Sequence, residues 1–168
     1  MRYAGIIYND LAAAPGVSLT FFAQGCPHKC ENCHNPEAWP FDGGHEFTIE
    51  TMTRIIKGLK ANGIKRTLCI MGGEPLCPEN RFLVDMVIKT AKESIEGLKV
   101  YVWTGYLYED LNKMTDSHLA SILKNTDVLV DGPYIDSERD ITLPMRGSRN
   151  QRIINLREGV LKRASEQD

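Results

Sequence analysis

The chain has 168 residues, 42% of them hydrophobic and 25% charged, which is typical of one folded domain and excludes a disordered or collagen-like chain. Its 20 Lys and Arg and 22 Asp and Glu give a formal charge of −2, which excludes a protein-wide field that would attract nucleic acid or an anionic membrane. The apolar runs are far shorter than the roughly 20 residues that cross a bilayer. The first residues lack the pattern of a secretory signal, so we expect a cytoplasmic protein with no nucleic-acid or membrane partner.

The first predicted element is a strand over residues 17–23, where β-branched and aromatic residues follow one another. This strand runs directly into a loop that carries three of the five cysteines, Cys26, Cys30 and Cys33. Five cysteines, three of them on one short loop, do not fit a disulfide framework, whereas thiols this close together are typical soft metal ligands. Ligands bind at the carboxyl ends of strands in α/β folds, so this loop is placed for chemistry.

The spacing of these cysteines is compatible with two kinds of metal centre, a zinc site and an iron–sulfur cluster. A structural zinc needs four ligands, and His28 or His34 could join the three thiolates. An iron–sulfur cubane usually takes four cysteines, so one iron would lack a protein thiolate unless Cys69 or Cys77 reached it. We expect Cys69 in the core, because its neighbours are apolar, and Cys77 as an uninvolved thiol. In an iron–sulfur site, His34 would lie beside the cofactor and His28 would face solvent.

Strands and helices alternate through the rest of the chain. The predicted elements are a helix at 48–60, a strand at 67–71, a helix at 82–94, a strand at 98–103, short helices at 108–114 and 116–124, and strands at 127–130 and 152–155. This alternation predicts parallel strands with right-handed crossovers, in either an open doubly wound sheet or part of a barrel. A complete eightfold barrel needs about 250 residues, so a barrel of this length is incomplete.

Unusual turns follow the predicted strands. Gly72-Gly73-Glu74-Pro75 follows the second strand, Thr104-Gly105 the third and Asp131-Gly132-Pro133 the fourth. In a parallel sheet these turns share one edge with the cysteine loop. Paired glycines let backbone N–H groups approach a carboxylate, and Glu74 offers an acceptor for an ammonium group, which together suit an amino-acid-like ligand. The alternative is that Gly-Gly-Glu-Pro is an ordinary tight turn.

The stretch Gly25–Glu37, GCPHKCENCHNPE, followed by Gly72-Gly73-Glu74-Pro75, closely resembles the radical S-adenosylmethionine enzymes. The Cys-His-Asn extension is similar to that of glycyl-radical-enzyme activases, and Gly147–Arg152, GSRNQR, to that of the activases of the anaerobic ribonucleotide reductase. The resemblance covers residues 3–155. It implies an α/β fold, an incomplete (βα)6-type partial barrel of mostly parallel strands that is open on one side, as a single domain over residues 1–168.

The resemblance also implies a mechanism. Cys26, Cys30 and Cys33 would hold three irons of a [4Fe–4S] cluster, and the fourth iron would chelate the amino and carboxylate groups of S-adenosylmethionine. An electron from a flavodoxin-like donor would cleave the sulfonium, and the resulting 5′-deoxyadenosyl radical would take a hydrogen from a glycine of the reductase's large subunit. A homodimer, or a heterotetramer with the reductase, is compatible with this function. The alternatives are an activase of another glycyl-radical enzyme, such as pyruvate formate-lyase, and a zinc-stabilised interaction module.

The same resemblance assigns residues to the cofactor. It implies that the methionine end of the cofactor is held by Gly72, Gly73 and Glu74, that its adenine meets the backbone around Asn32, Cys33 and His34, and that Thr104 and Asp131 contact the cofactor or an ion. Many relatives have an aromatic residue where this chain has Asn32, so stacking there is not expected. Relatives that act on pyruvate formate-lyase have a lysine at the position of Pro133, which favours the reductase activase.

An arginine-rich segment lies in the C-terminal region, residues 145–168. It contains Arg146, Arg149, Arg152 and Arg157 with no acidic residue between the first and the last, a local charge of +4. Such a run is either a solvated face, a surface for partner docking or a phosphate contact, because arginine forks suit planar anions. Of the specific roles, we prefer docking.

Overall fold

The computed structural model describes residues 1–157 and 160–162, and within them the chain forms one eight-stranded sheet and four α-helices. The strands are β1 (Arg2–Asp10), β2 (Val17–Ala23), β3 (His45–Glu46), β4 (Arg66–Gly72), β5 (Val100–Trp103), β6 (Val128–Asp131), β7 (Arg152–Asn155) and β8 (Val160–Lys162). The helices are α1 (Ile49–Lys60), α2 (Pro78–Ser94), α3 (Tyr108–Leu111) and α4 (Ser117–Asn125). No described helix has both the length and the apolar character needed to cross a membrane.

The sheet is mixed rather than mostly parallel. Its strand order is β3-β1-β2-β4-β5-β6-β7-β8, and only the four central strands, β2, β4, β5 and β6, run parallel to one another. At one end, β1 pairs antiparallel with β2 and β3, and at the other β7 pairs antiparallel with β6 and β8. The expectation of mostly parallel strands therefore holds for the centre of the sheet and not for its two ends.

The helices cover one face of the sheet, because alternate residues of the parallel strands β2, β4, β5 and β6 include buried apolar side chains that point toward them. Strand residues Phe21, Ile70, Val102 and Leu129 are completely buried there. They pack in one cluster with the apolar stripes of the helices, formed by residues such as Ile55, Leu83, Val87, Ile88, Leu119 and Ile122. This core holds the parallel strands in the register that aligns their carboxyl ends.

Loops cover part of the opposite face. Cys69, completely buried, packs there with Ala13 and Ala14, so its prediction as a core thiol is confirmed. Met71, Tyr101, Trp103 and Met145 pack against this second cluster. Strands β4 and β5 therefore have the helix-covered core on one face and this loop-covered cluster on the other.

The ends of the helices follow local signals. Thr48 caps α1 by accepting a hydrogen bond from the Thr51 N–H, and Asp116 caps α4 by accepting one from the Leu119 N–H. Helix α2 begins at Pro78, four residues before the predicted start, because proline at the first helical position loses no hydrogen bond. The hydrophobic pattern used for prediction begins only at Phe82, which explains the difference.

Candidate functional site

A pocket lies at the carboxyl ends of the parallel strands. Strands β2 and β4 pair in register up to Ala23 and Gly72, so the cysteine loop and the Gly-Gly turn leave the sheet side by side. The residues predicted from the sequence that line this pocket are Cys26, Cys30, Cys33, His34, Gly72, Gly73, Glu74 and Thr104. The fold thus brings the cysteine loop and the turns after β4 and β5 to one place.

Backbone N–H groups lie close to the sulfur atoms of the first two loop cysteines. Burial raises the pKa of the Cys26 thiol, and backbone hydrogen bonds from His28 and Lys29 oppose this rise. Burial also raises the pKa of the Cys30 thiol, and a backbone hydrogen bond from Tyr134, which follows β6, opposes it. Donors of this kind favour the thiolate form, the form that ligates iron.

The third loop cysteine has a similar environment. The Asn35 N–H lies 3.5 Å from Cys33 Sγ. Lys29 and Asn32 adopt left-handed backbone conformations, with φ of 47° and 53°, which fold the loop tightly between its cysteines. Backbone donors to all three sulfurs are a feature that tunes the potential of iron–sulfur clusters.

The remaining cysteines lie elsewhere. Cys69 and Cys77 are fully buried, neither lines the pocket, and burial raises the pKa of each thiol to about 12. In the described part of the chain, no three His, Cys, Asp or Glu side chains converge to hold a single metal ion. A cubane does not need such convergence, since each thiolate binds a different iron. Three thiols on one pocket wall therefore fit an iron–sulfur cluster with three protein ligands.

The paired glycines allow two loops to touch. The Gly73 N–H donates to Ala23 O at 2.9 Å and the Glu74 N–H to Gly25 O at 2.8 Å, so both N–H groups hold the cysteine loop. Gly72 has a φ of 114°, and a Cβ on Gly73 would lie 2.3 Å from Gly25 O. Glycine at these positions is thus required by backbone packing, whereas the sequence suggested N–H groups open to a ligand.

Glu74 is the centre of the hydrogen-bond network at the pocket. Its side chain is 1% exposed and accepts four hydrogen bonds, from the Leu76 N–H, Thr104 Oγ1, the Gly105 N–H and His28 Nε2, at 2.7–2.8 Å. The carboxylate thus joins the ends of β4 and β5 to the cysteine loop. Thr104, 5% exposed, reaches the pocket as a partner of Glu74.

Two predicted cofactor residues do not line the pocket. Asp131 is completely buried, its carboxylate forms a two-point ion pair with Arg152, and it accepts the Tyr108 N–H at 2.7 Å. The Asn32 side chain points to the segment after β6, where it donates to Asp136 Oδ2 at 2.9 Å. In the structure both side chains tie elements together at the margin of the site.

His28 lies at the site, although the sequence offered it only as a possible zinc ligand and placed it in solvent for an iron–sulfur site. The prediction that it faces solvent is wrong: its side chain is 21% exposed, lines the pocket and contacts Glu74. Its ring also packs edge-on against Tyr106, with the ring centroids 4.7 Å apart. Its position between two cysteines was the available signal, but its partner lies 46 residues away in the sequence.

The arginine-rich segment does not present its four side chains together. Arg152 pairs with Asp131 and Glu109, and Arg157 pairs with Asp127. Arg146 is 8% exposed, and Arg149 is exposed. Three of the four guanidinium groups are therefore paired with carboxylates or buried within the described fold. Residues 158–159 and 163–168 of the predicted segment lie outside the described residues.

Comparisons with known proteins agree with this site. A family model for a 4Fe-4S single cluster domain matches residues 12–154. Proteins named anaerobic ribonucleoside-triphosphate reductase-activating protein are similar over most of the chain. The Vibrio cholerae protein is 37% identical over 90% of this chain and 96% of its own length. The phage T4 protein is 33% identical over 96% and 99%, and the Escherichia coli K12 protein is 33% identical over 94% and 100%. The chain therefore belongs to the family of anaerobic ribonucleoside-triphosphate reductase-activating proteins, with a 4Fe-4S single cluster domain.

Proposed function

We propose that this chain activates an anaerobic ribonucleoside-triphosphate reductase by forming a glycyl radical on its large subunit, with a [4Fe–4S] cluster and S-adenosylmethionine as cofactors. The observation that carries the proposal is a pocket lined by three of the five cysteines, with the other two buried elsewhere. A cluster with three protein ligands leaves one iron free to bind a cofactor. The names of the relatives support the reductase as the partner.

The residues of the chain have distinct roles in this proposal. Cys26, Cys30 and Cys33 hold the cluster, and Gly72 and Gly73 let the cysteine loop pack beside the cofactor. When bound, the cluster and S-adenosylmethionine supply one-electron cleavage of the cofactor and hydrogen abstraction from a glycine Cα.

Other residues form the walls of the pocket. Phe22, Trp39, Met71 and Trp103 are apolar, so they would reduce the access of water to a bound cofactor. His34, next to Cys33, also lines the pocket, which supports its proposed place beside the adenine. Trp103 is held in place because its Nε1–H donates to Met145 O at 2.7 Å.

We also propose that the sheet is the incomplete (βα)6-type barrel of this enzyme class, open on one side. The four parallel strands, the helices on one face and the pocket at the strands' carboxyl ends support this assignment. Strand β3 pairs only with Arg2 and Tyr3, so the rest of the outer edge of β1 has no neighbouring strand among the described residues. An open side gives a glycine of another protein a route to the pocket.

The test is anoxic reconstitution followed by incubation with the reductase, S-adenosylmethionine and a flavodoxin-like electron donor. We expect about four irons and four sulfides per chain and a glycyl signal in electron paramagnetic resonance of the reductase. Cleavage of the cofactor without that signal would move the proposal to another glycyl-radical enzyme. One zinc per chain and no sulfide would instead indicate a zinc-stabilised interaction module.

A further inference from the structure

The carboxylate of Glu74 has no free acceptor site. Oε1 accepts the Leu76 N–H and the Thr104 hydroxyl, both at 2.8 Å. Oε2 accepts the Gly105 N–H at 2.7 Å and the His28 Nε2–H at 2.8 Å. Two carboxylate oxygens offer about four lone-pair sites, so all are occupied. Any ligand that donates a hydrogen bond to Glu74 must first displace one of these donors.

Among the four donors, His28 is the one that can leave. Leu76 and Gly105 donate from the backbone of turns fixed to the sheet, and Thr104 is 5% exposed. The His28 side chain is 21% exposed, comes from the cysteine loop and lines the pocket. Rotation of its ring would vacate Glu74 Oε2 without moving a strand.

We propose that His28 occupies the place of the cofactor's amino group on Glu74, and that the amino group of S-adenosylmethionine replaces the His28 ring when it binds. The inference rests on the proposed function, because it takes S-adenosylmethionine as the ligand. The exchange keeps the carboxylate satisfied in both states, since leaving a charged buried acceptor without a donor is costly. His28 is thus a positioning residue that keeps Glu74 oriented until the cofactor arrives.

The exchange has a consequence for affinity. Binding must break the His28–Glu74 hydrogen bond, so removing the imidazole donor makes binding tighter. A merely structural role predicts the opposite, because a damaged pocket binds more weakly. The direction of the change therefore distinguishes the two roles.

The test measures S-adenosylmethionine binding by anoxic titration calorimetry to cluster-loaded protein without reductant, so that no cofactor is cleaved. His28→Phe keeps a ring against Tyr106 but cannot donate to Glu74. We expect it to bind S-adenosylmethionine about three- to tenfold more tightly than the unmodified protein, the range of one ordinary hydrogen bond. An analogue of the cofactor without the amino group should gain no affinity from the substitution.

A matched control lies on the helical side of the molecule. His118 Nδ1 is 2.8 Å from Asp85 Oδ2, and its ring packs edge-on against Phe82. His118→Phe therefore removes the same kind of hydrogen bond away from the pocket. We expect it to leave the affinity for S-adenosylmethionine unchanged.

Three results would overturn the inference: unchanged or weaker binding by His28→Phe, equal tightening for the analogue without the amino group, and the same tightening in His118→Phe. His28→Ala provides the same measurement if the larger ring prevents cluster loading. Failure of the unmodified, cluster-loaded protein to bind S-adenosylmethionine would contradict the proposed function instead.

Discussion

At the scale of single residues, the five cysteines divide into two groups by their surroundings. Cys26, Cys30 and Cys33 share the pocket, whereas Cys69 and Cys77 are buried among other groups. We predict that alanine at any of the first three abolishes S-adenosylmethionine cleavage and lowers the cluster content. Cys69→Ala and Cys77→Ala should keep both, because an inert core thiol acts as a small hydrophobe. Iron and sulfide analysis beside a cleavage assay checks this, and equal losses in all five would show that the ligands are misassigned.

Arg146 is a buried residue without an ionic partner in the described structure. Its Nη1 donates to Gln151 O at 3.4 Å, its Nε has no hydrogen-bond partner, and burial lowers the pKa of the guanidinium. Burying an unpaired charge is costly, so we predict that Arg146→Met leaves the free energy of unfolding unchanged or raises it. Arg157→Met should lower it, because Arg157 pairs with Asp127.

Urea unfolding of these two variants and the unmodified protein provides the comparison. A clear loss of stability in Arg146→Met, as large as that in Arg157→Met, would mean that the Arg146 guanidinium has a stabilising partner and would refute the prediction.

At the scale of elements, the ends of β2 and β4 are joined by backbone contacts that exclude a side chain. A Cβ on Gly73 would lie 2.3 Å from Gly25 O, whereas one on Gly5 in β1 would have nothing within 4 Å. We predict that Gly73→Ala costs about 1–3 kcal/mol of stability and lowers cluster loading, because it pushes away the residue before Cys26. Gly5→Ala should change neither by a measurable amount.

Thermal unfolding and iron content of the two glycine variants are sufficient to check this. If Gly73→Ala loads as much iron as Gly5→Ala and unfolds at the same temperature, the contact between the two loops does not matter for the site.

The elements whose apolar residues recur at a regular spacing could be predicted from the sequence, and the pairing of the outer strands could not. β2, β4 and α1 have uninterrupted apolar patterns and, for α1, a cap at Thr48. β1 was not predicted, because RYAGIIYND has no regular alternation, and a register shift after Tyr3 interrupts its pairing with β2. The antiparallel direction of β7 depends on where the chain returns after the loop that precedes it, which local sequence does not encode.

The same limit applies to the site. The spacing of the cysteines is local, so it was visible in the sequence. The hydrogen bond from Asn32 to Asp136 joins residues 104 positions apart, and the side chain of Asp131 is directed to Arg152, which follows a long loop. Only the folded chain brings such distant partners together, so they cannot be identified from local sequence. The assignment of Asn32 and Asp131 to the cofactor stays a prediction.

At the scale of the whole molecule, charged pairs attach the antiparallel strands to the parallel centre of the sheet. Arg152 at the start of β7 binds Asp131 at the end of β6 and Glu109 in α3, and it lowers the pKa of Glu109 to about 2. Asp127 lies beside the opposite end of β6 and accepts from Arg157 at 3.0 Å. Ion pairs at both ends of β6 thus hold the antiparallel strand β7 and the residues after it against the parallel strands.

Asp127 makes the stability of the molecule depend on pH. Burial alone would raise the pKa of its carboxyl, but the Val100 N–H at 2.8 Å, Arg157 and Lys92 together hold this pKa below its ordinary value. A carboxyl whose pKa is lowered by folding adds stability above its unfolded pKa, about 3.9, and this contribution is lost as pH falls through the lower folded pKa. We therefore expect Asp127 to contribute fully at pH 7 and progressively less below about pH 4.

Asp127→Asn tests this expectation. The amide keeps the shape and one acceptor but no charge, so the variant should lose about 1–3 kcal/mol of stability at pH 7. The loss should shrink toward pH 3, because the unmodified protein gives up the same interaction as its carboxyl takes a proton. Urea unfolding at several pH values between 3 and 7 measures the difference between the two proteins. A difference that stays constant over this range would show that the charge of Asp127 does not stabilise the fold, and that the side chain contributes only through its hydrogen bond with the Val100 N–H.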